Sequence, residues 1–131
     1  MRTYQGGCHC ERVRFSIESE MKSATQCNCS ICTKKCMINH RVAPERFRLL
    51  RGAESLGLYQ FNTLTAKHFF CRHCGIPVFS NPRRAPDQYA VNLRCLDDFH
   101  AIAGGLEIAQ FDGQHWEEAV RRAEEAARRG P

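Results

Sequence analysis

The chain has 131 residues, 43% hydrophobic and 25% charged, a size and balance that suit one soluble core without disulfide staples. No apolar run approaches the roughly 20 residues needed to span a bilayer, and Met1–Gln5 hold no apolar segment of the kind a signal peptide uses. The formal charge of +5 argues only weakly for nucleic acid.

Nine cysteines, an odd number, predict a reducing cytoplasmic setting in which thiols meet metals and not each other. Residues 1–7 read as a strand whose Gly6-Gly7 is a flexible lead-in to the first thiol pair, Cys8-His9-Cys10. Val13, Phe15 and Ile17 alternate with Arg12, Arg14, Ser16 and Glu18, the pattern of a strand with one buried face. A polar turn near residues 19–23 leads into Cys27-Asn28-Cys29-Ser30-Ile31-Cys32-Thr33-Lys34-Lys35-Cys36, four thiols within ten residues. Further strands are predicted over 37–42, 47–50, 56–61, 66–70, 76–80 and 89–94, separated by turns at Pro44, Gly52 and the proline-rich loop 81–87.

The period changes at Trp116. Trp116, Ala119, Val120, Ala123, Ala126 and Ala127 recur at helical spacing, predicting a helix over 116–129 that Gly130 and Pro131 end. Glu117–Arg121, Glu118–Arg122, Glu124–Arg128 and Glu125–Arg129 are acid-then-base pairs at i,i+4, so these arginines read as surface partners and not as nucleic-acid contacts. The expected fold is mostly β, a single domain over 1–131 of short strands with one C-terminal helix.

The thiols carry the chemistry. In Cys71-x-x-Cys74-Gly75 the turn aims two sulfurs at one point and the glycine lets the backbone turn away. Cys8-x-Cys10, read as extended chain, places two more on one face. Together the pairs predict a four-thiolate structural zinc, saturated and with no position for substrate. Cys27, Cys29 and Cys32 give three sulfurs locally; Cys36 would close that site, and without it one position stays open, the usual mark of a working zinc. Lys34 and Lys35, with Arg72, Arg83 and Arg84, are candidates for the carboxylates of an anionic thiol. His40, His68 and His73 lack ligand spacing and read as packing or surface residues, and Cys95 reads as a buried free thiol.

Several of these stretches resemble the family of glutathione-dependent formaldehyde-activating enzymes and centromere protein V. They are Gly7-Cys8-His9-Cys10, Cys27 to Lys35, Phe70-Cys71-Arg72-His73-Cys74-Gly75, Arg94-Cys95-Leu96-Asp97 and Phe111-Asp112-Gly113. Residues 46–54 and 59–63 look most like the centromere protein V branch. The resemblance implies a zinc-stapled β-tent of several curled antiparallel sheets. It also implies one zinc on Cys8, Cys10, Cys71 and Cys74, and a second on Cys27, Cys29 and Cys32. In the family that second zinc is linked to glutathione and to a carbon–sulfur lyase making S-(hydroxymethyl)glutathione. This sequence departs by placing Cys36 where a small residue such as glycine is more frequent.

The expected function is thus a zinc-dependent carbon–sulfur lyase with a small thiol and a small aldehyde as partners, and neither membrane nor nucleic acid. The alternative is a glutathione carrier or a non-catalytic zinc-binding interaction module. A third reading, a methionine-sulfoxide-reductase-like enzyme using Cys95, fits less well because the first thiol pair is C-x-C and not C-x-x-C.

Overall fold

In this computed structural model, which describes residues 1–129, the chain folds into two sheets and three helices. In chain order the elements are β1 (Arg2–Gly7), β2 (Arg14–Ser19), β3 (Ser23–Cys27), α1 (Ser30–Lys35), β4 (Asn39–Val42), β5 (Phe47–Arg51) and β6 (Leu56–Tyr59). Then come β7 (Lys67–Cys71), β8 (Pro77–Asn81), β9 (Tyr89–Asn92), α2 (Phe99–Ala103), β10 (Glu107–Phe111) and α3 (Trp116–Arg129). One sheet has the order β1-β2-β5 and the other β10-β3-β4-β9-β8-β7-β6.

The period-2 pattern of β2 does what it predicts: Phe15 and Ile17 point inward, almost wholly buried, and Arg14 and Ser16 face the other way. They meet Val78 and Val91 of the second sheet, and Leu93 just after β9, in one shared core. Phe47 of β5 joins the sheets, its ring 4.1 Å from Tyr89, 4.8 Å from Phe79 and 5.9 Å from Phe15. Such ring pairs add stabilisation beyond the area they bury.

Several expectations are revised. Gly6 and Gly7 are not a flexible lead-in: both are buried in the β1–β2 ladder, opposite Phe15 and Arg14. The polar stretch before the thiol cluster contains β3, which pairs in parallel with β10, so one strand pair departs from the antiparallel plan. Of the four ion pairs expected along α3, among the described residues only Glu118–Arg122 is closed, at 2.6 Å. The stop at Gly130 and Pro131 lies outside the described residues.

The Arg94-Cys95-Leu96-Asp97 stretch is architectural. Arg14 makes two hydrogen bonds to the Asp97 carboxylate, at 2.9 and 2.6 Å, and Arg94 Nε donates to the Cys36 carbonyl at 3.0 Å. The Cys95 thiol donates to the Pro77 carbonyl, and burial pushes its pKa up to about 12, so it rests as a neutral thiol. His40 is buried with both ring nitrogens engaged, Nδ1 donating to the Ser23 carbonyl and Nε2 meeting Ser19 Oγ, each at 2.7 Å. It is a packing residue, as expected.

Replacing Phe15 by Ala is expected to cost about 3–5 kcal/mol in urea unfolding, whereas Leu58→Ala, on the half-exposed edge strand β6, is expected to stay within about 0.5 kcal/mol. His40 is expected to titrate below its ordinary value of 6.5 in an NMR pH series, because burial disfavours the imidazolium. Its folded pKa is depressed, so the unfolded chain takes the proton first and His40 contributes a loss of stability as pH falls below 6.5.

Candidate metal and thiol site

The first thiol group joins the end of β1 to the β7–β8 turn. The chain after Gly7 is a tight turn and not extended strand: Glu11 N–H donates to the Cys8 carbonyl and Cys8 N–H to the Val13 carbonyl. This turn, with Glu11 at φ +66°, brings Cys8 and Cys10 Sγ to 3.6 Å, and Cys10 Sγ also lies 3.6 Å from Cys71 Sγ. Gly75 at φ +76° closes the opposite knuckle, its N–H on the Cys71 carbonyl at 2.8 Å. Backbone N–H groups of Val13 and His73 point at Cys8 and Cys71 Sγ. Cys8, Cys10, Cys71 and Cys74 all converge.

The spacing fits zinc. A tetrahedron with Zn–S of about 2.3 Å has S···S edges of about 3.8 Å, close to the 3.6 Å found here. Protons alone serve the group poorly: burial pushes Cys8 up to about 11, and a backbone hydrogen bond from Arg12 pulls Cys10 down to about 6.

The second group is built on α1. β3 ends at Cys27, and Cys29 caps the helix, its sulfur receiving the Cys32 N–H at 3.5 Å while Cys27 Sγ receives the Cys29 N–H at 3.4 Å. The sulfurs of Cys27, Cys29 and Cys32 all lie within 4.8 Å of one another. Hydrogen bonds from the Cys27 and Cys32 thiols drop Cys29 to about 2, and the pKa values of Cys27 and Cys32 rise in turn. The three sulfurs therefore oppose one another's ionisation when only protons are present.

Cys36 stands apart. It ends α1 in a left-handed conformation at φ +53°, exposed, and its thiol lies 3.7 Å from the Thr33 carbonyl. The Arg94 bond to its carbonyl holds that turn.

A second clamp closes the cluster from the other end of the chain. Asn28 N–H donates to the Phe111 carbonyl, Asn28 Nδ2 to Asp112 Oδ1 at 3.0 Å, and Gln114 N–H to Asn28 Oδ1 at 3.0 Å. Gly113 sits so close that a Cβ there would lie 2.5 Å from Cys27 Sγ and 2.6 Å from Cys29 Cβ. Only glycine fits that approach.

The three thiols open into a cleft of about 750 Å³. Of the residues expected at the site, Cys27, Cys29, Cys32, Arg83 and Arg84 line it. Lys34 is exposed, and Lys35 turns to His68, Nζ to Nδ1 3.1 Å, with burial lowering its pKa. Neither lysine lines the cleft, and Arg72 and His73 belong to the first thiol group's knuckle. Sequence reasoning missed Arg41, Phe61, His68 and Trp116 as cleft residues. His68, expected as a packing or surface residue, is driven down to about 4 by burial first and then the Lys35 charge, so it is neutral and stacks on Phe61. Trp116 was read as the start of a packing stripe, yet it faces the cleft, 3.7 Å beneath the Arg83 guanidinium. A smaller cavity of about 250 Å³, near Tyr4 and Ile102, contains no thiol.

The sequence profile of the glutathione-dependent formaldehyde-activating enzyme family matches residues 3–111, which include both thiol groups. This chain belongs to that family. It is also similar to a Rhodobacter sphaeroides protein whose crystal structure was determined as a structural genomics target. The identity is 38% and the TM-score 0.74, over 81% of this chain and 98% of that one. Membership associates the chain with glutathione and formaldehyde chemistry, and its cysteine groups could hold metal ions. Among the described residues no helix is long and apolar enough to cross a membrane. α3 lies beyond the end of the family match.

Replacing Asn28 by Ala is expected to release the loop over the cluster. The Gln114 amide should then exchange with deuterium at least tenfold faster, while the amides of Val13 and His73 at the first thiol group keep their protection.

Proposed function

We propose that the chain is a zinc-dependent carbon–sulfur lyase of the S-(hydroxymethyl)glutathione synthase type. In this reading it binds a small thiol such as glutathione above Cys27, Cys29 and Cys32, and joins it to, or releases it from, a small aldehyde. One observation carries the reading: three sulfurs, and not four, converge at the floor of a large cleft, with the Cys36 thiol turned back on Thr33. Family membership supports it.

The two groups would then divide the work. Cys8, Cys10, Cys71 and Cys74 form a closed staple between β1 and the β7–β8 turn. Cys27, Cys29 and Cys32 would hold a zinc, which would supply a Lewis-acid position favouring the thiolate form of an incoming thiol at neutral pH.

The chain's own residues set the surroundings. The Asn28 clamp and Gly113 fix the spacing of the three sulfurs. Lys35 lies near enough to Cys29 and Cys32 for their charge to act on it, and so partly offsets the negative charge of the thiolates. Ile31, Phe61, Phe111 and Trp116 give the cleft an apolar wall beside the thiols. In the synthetic direction the thiol sulfur bonds to the carbonyl carbon, the carbonyl π pair moves to oxygen, and oxygen takes the proton the thiol has lost. Nothing is oxidised or reduced. Thiols and formaldehyde also combine unaided, so the required rate gain is modest.

The expected zinc content is two per chain for the native protein and for Cys36→Ser, and one for Cys29→Ser. Exchange between free and hydroxymethylated glutathione, followed by NMR with ¹³C-formaldehyde, should be faster with the native protein and fall to the unaided rate with Cys29→Ser. Glutathione binding without faster exchange would leave a carrier; loss of one zinc in Cys36→Ser would make the second site a closed staple.

A further inference from the structure

Apart from the thiol group at its floor, the charged side chains of the cleft are of one sign. Arg41 of β4 and Arg83 and Arg84 of the β8–β9 loop line it, and among the described residues no aspartate or glutamate does. Nor do these arginines figure in the ion pairs of the described residues. The nearest acid in sequence to the cleft wall, Asp112, is engaged by Asn28 and His115.

Two of the arginines lie over aromatic rings that also line the cleft. The Arg83 guanidinium lies 3.7 Å from the centre of the Trp116 ring and that of Arg84 5.8 Å from the centre of Phe111. A guanidinium over a ring face is held there by cation–π attraction, while its N–H donors remain available for a bidentate acid. Arg41 feels its neighbour: desolvation first, then the Arg84 charge, lowers its pKa. Three like charges exceed the charge the thiol group can carry on zinc, and a bound anion relieves their repulsion.

We infer that Arg83 and Arg84, braced on Trp116 and Phe111, form with Arg41 a clamp for the carboxylates of the thiol substrate, and that the cleft does not read a free amine on it. The substrate class is a thiol bearing two carboxylates, in which the ammonium group of glutathione is dispensable. This rests on the thiol-binding function proposed above and narrows it. Trp116 is a positioning residue that acts through Arg83. It lies beyond residue 111, where the family match ends, so this half of the clamp comes from the C-terminal part of the chain.

S-Methylglutathione, its N-acetyl derivative and its diethyl ester separate the clamp from the metal, because none has a free thiol. Titrated calorimetrically into the zinc-loaded full chain, the N-acetyl acid is expected to bind at least as tightly as S-methylglutathione, and the diester about tenfold more weakly or worse. Arg83→Ala with Arg84→Ala should weaken the acids about tenfold and erase their advantage over the ester. Trp116→Ala should reproduce most of the Arg83→Ala loss, and Trp116→Phe should restore it, since a phenyl ring still braces the guanidinium.

Four results would overturn the clamp: a tenfold loss on N-acetylation, equal binding of acid and ester, arginine variants that bind like the native chain, or no binding of any S-methyl acid. Failure of unmodified glutathione to perturb the second metal would instead overturn the thiol-at-metal reading and leave the clamp standing.

Discussion

Sulfurs placed 3.6 Å apart cannot all be thiolates unless a cation sits among them, and the architecture is arranged around that constraint. Two sets of cysteines converge, one of four and one of three. In each, protons give only a compromise: hydrogen bonds from Cys27 and Cys32 make Cys29 acidic in one, while in the other a backbone hydrogen bond from Arg12 lowers Cys10 and burial raises Cys8. A divalent cation removes the conflict, and the backbone is already placed to support it, with N–H groups aimed at Cys8, Cys27, Cys29 and Cys71. For a small β protein with few long elements, such a tie between residue 8 and residue 74 restricts the unfolded chain over a long loop.

The difference between the two sets lies in what surrounds them. The four-cysteine set lies between β1 and the β7–β8 turn, packed against the core through Cys8 and Cys71. The three-cysteine set sits at the other end of the seven-stranded sheet, on β3 and α1, where a cleft opens. Its floor is held from three distant parts of the chain. Arg94 anchors the turn at Cys36, the 111–114 loop locks onto Asn28, and Lys35 packs on His68 of β7. The helix that carries the thiols is only six residues long, so its order depends on these tertiary contacts more than on its own propensity.

How much of this could be read in advance depended on whether a residue's partner was local. The alternation in β2 was legible because each of its side chains faces either core or surface, and the α3 stripe because helical spacing is a local property. The convergence of Cys8, Cys10, Cys71 and Cys74 followed from ligand chemistry, although the first pair sits in a turn and not on a strand. β3 and β10 escaped notice because a parallel pair at a sheet edge, largely exposed, carries no clear alternation. Lys34 and Lys35 looked like cleft residues because they neighbour the thiols in sequence, but helical geometry turns them elsewhere. Arg41, Phe61 and Trp116 carried no local signal at all: they share a cleft only because β4, the β6–β7 connection and α3 meet at one place.

The central claim is that the second thiol group binds zinc through three sulfurs and keeps a position for a fourth from the substrate. X-ray absorption at the zinc edge counts those sulfurs directly. A closed site and an open one together average about 3.5 sulfurs per zinc, and glutathione should raise the mean to about 4 with Cys36 present or replaced by Ser. A mean of about 4 sulfurs before any thiol is added, falling when Cys36 is replaced, would contradict the account.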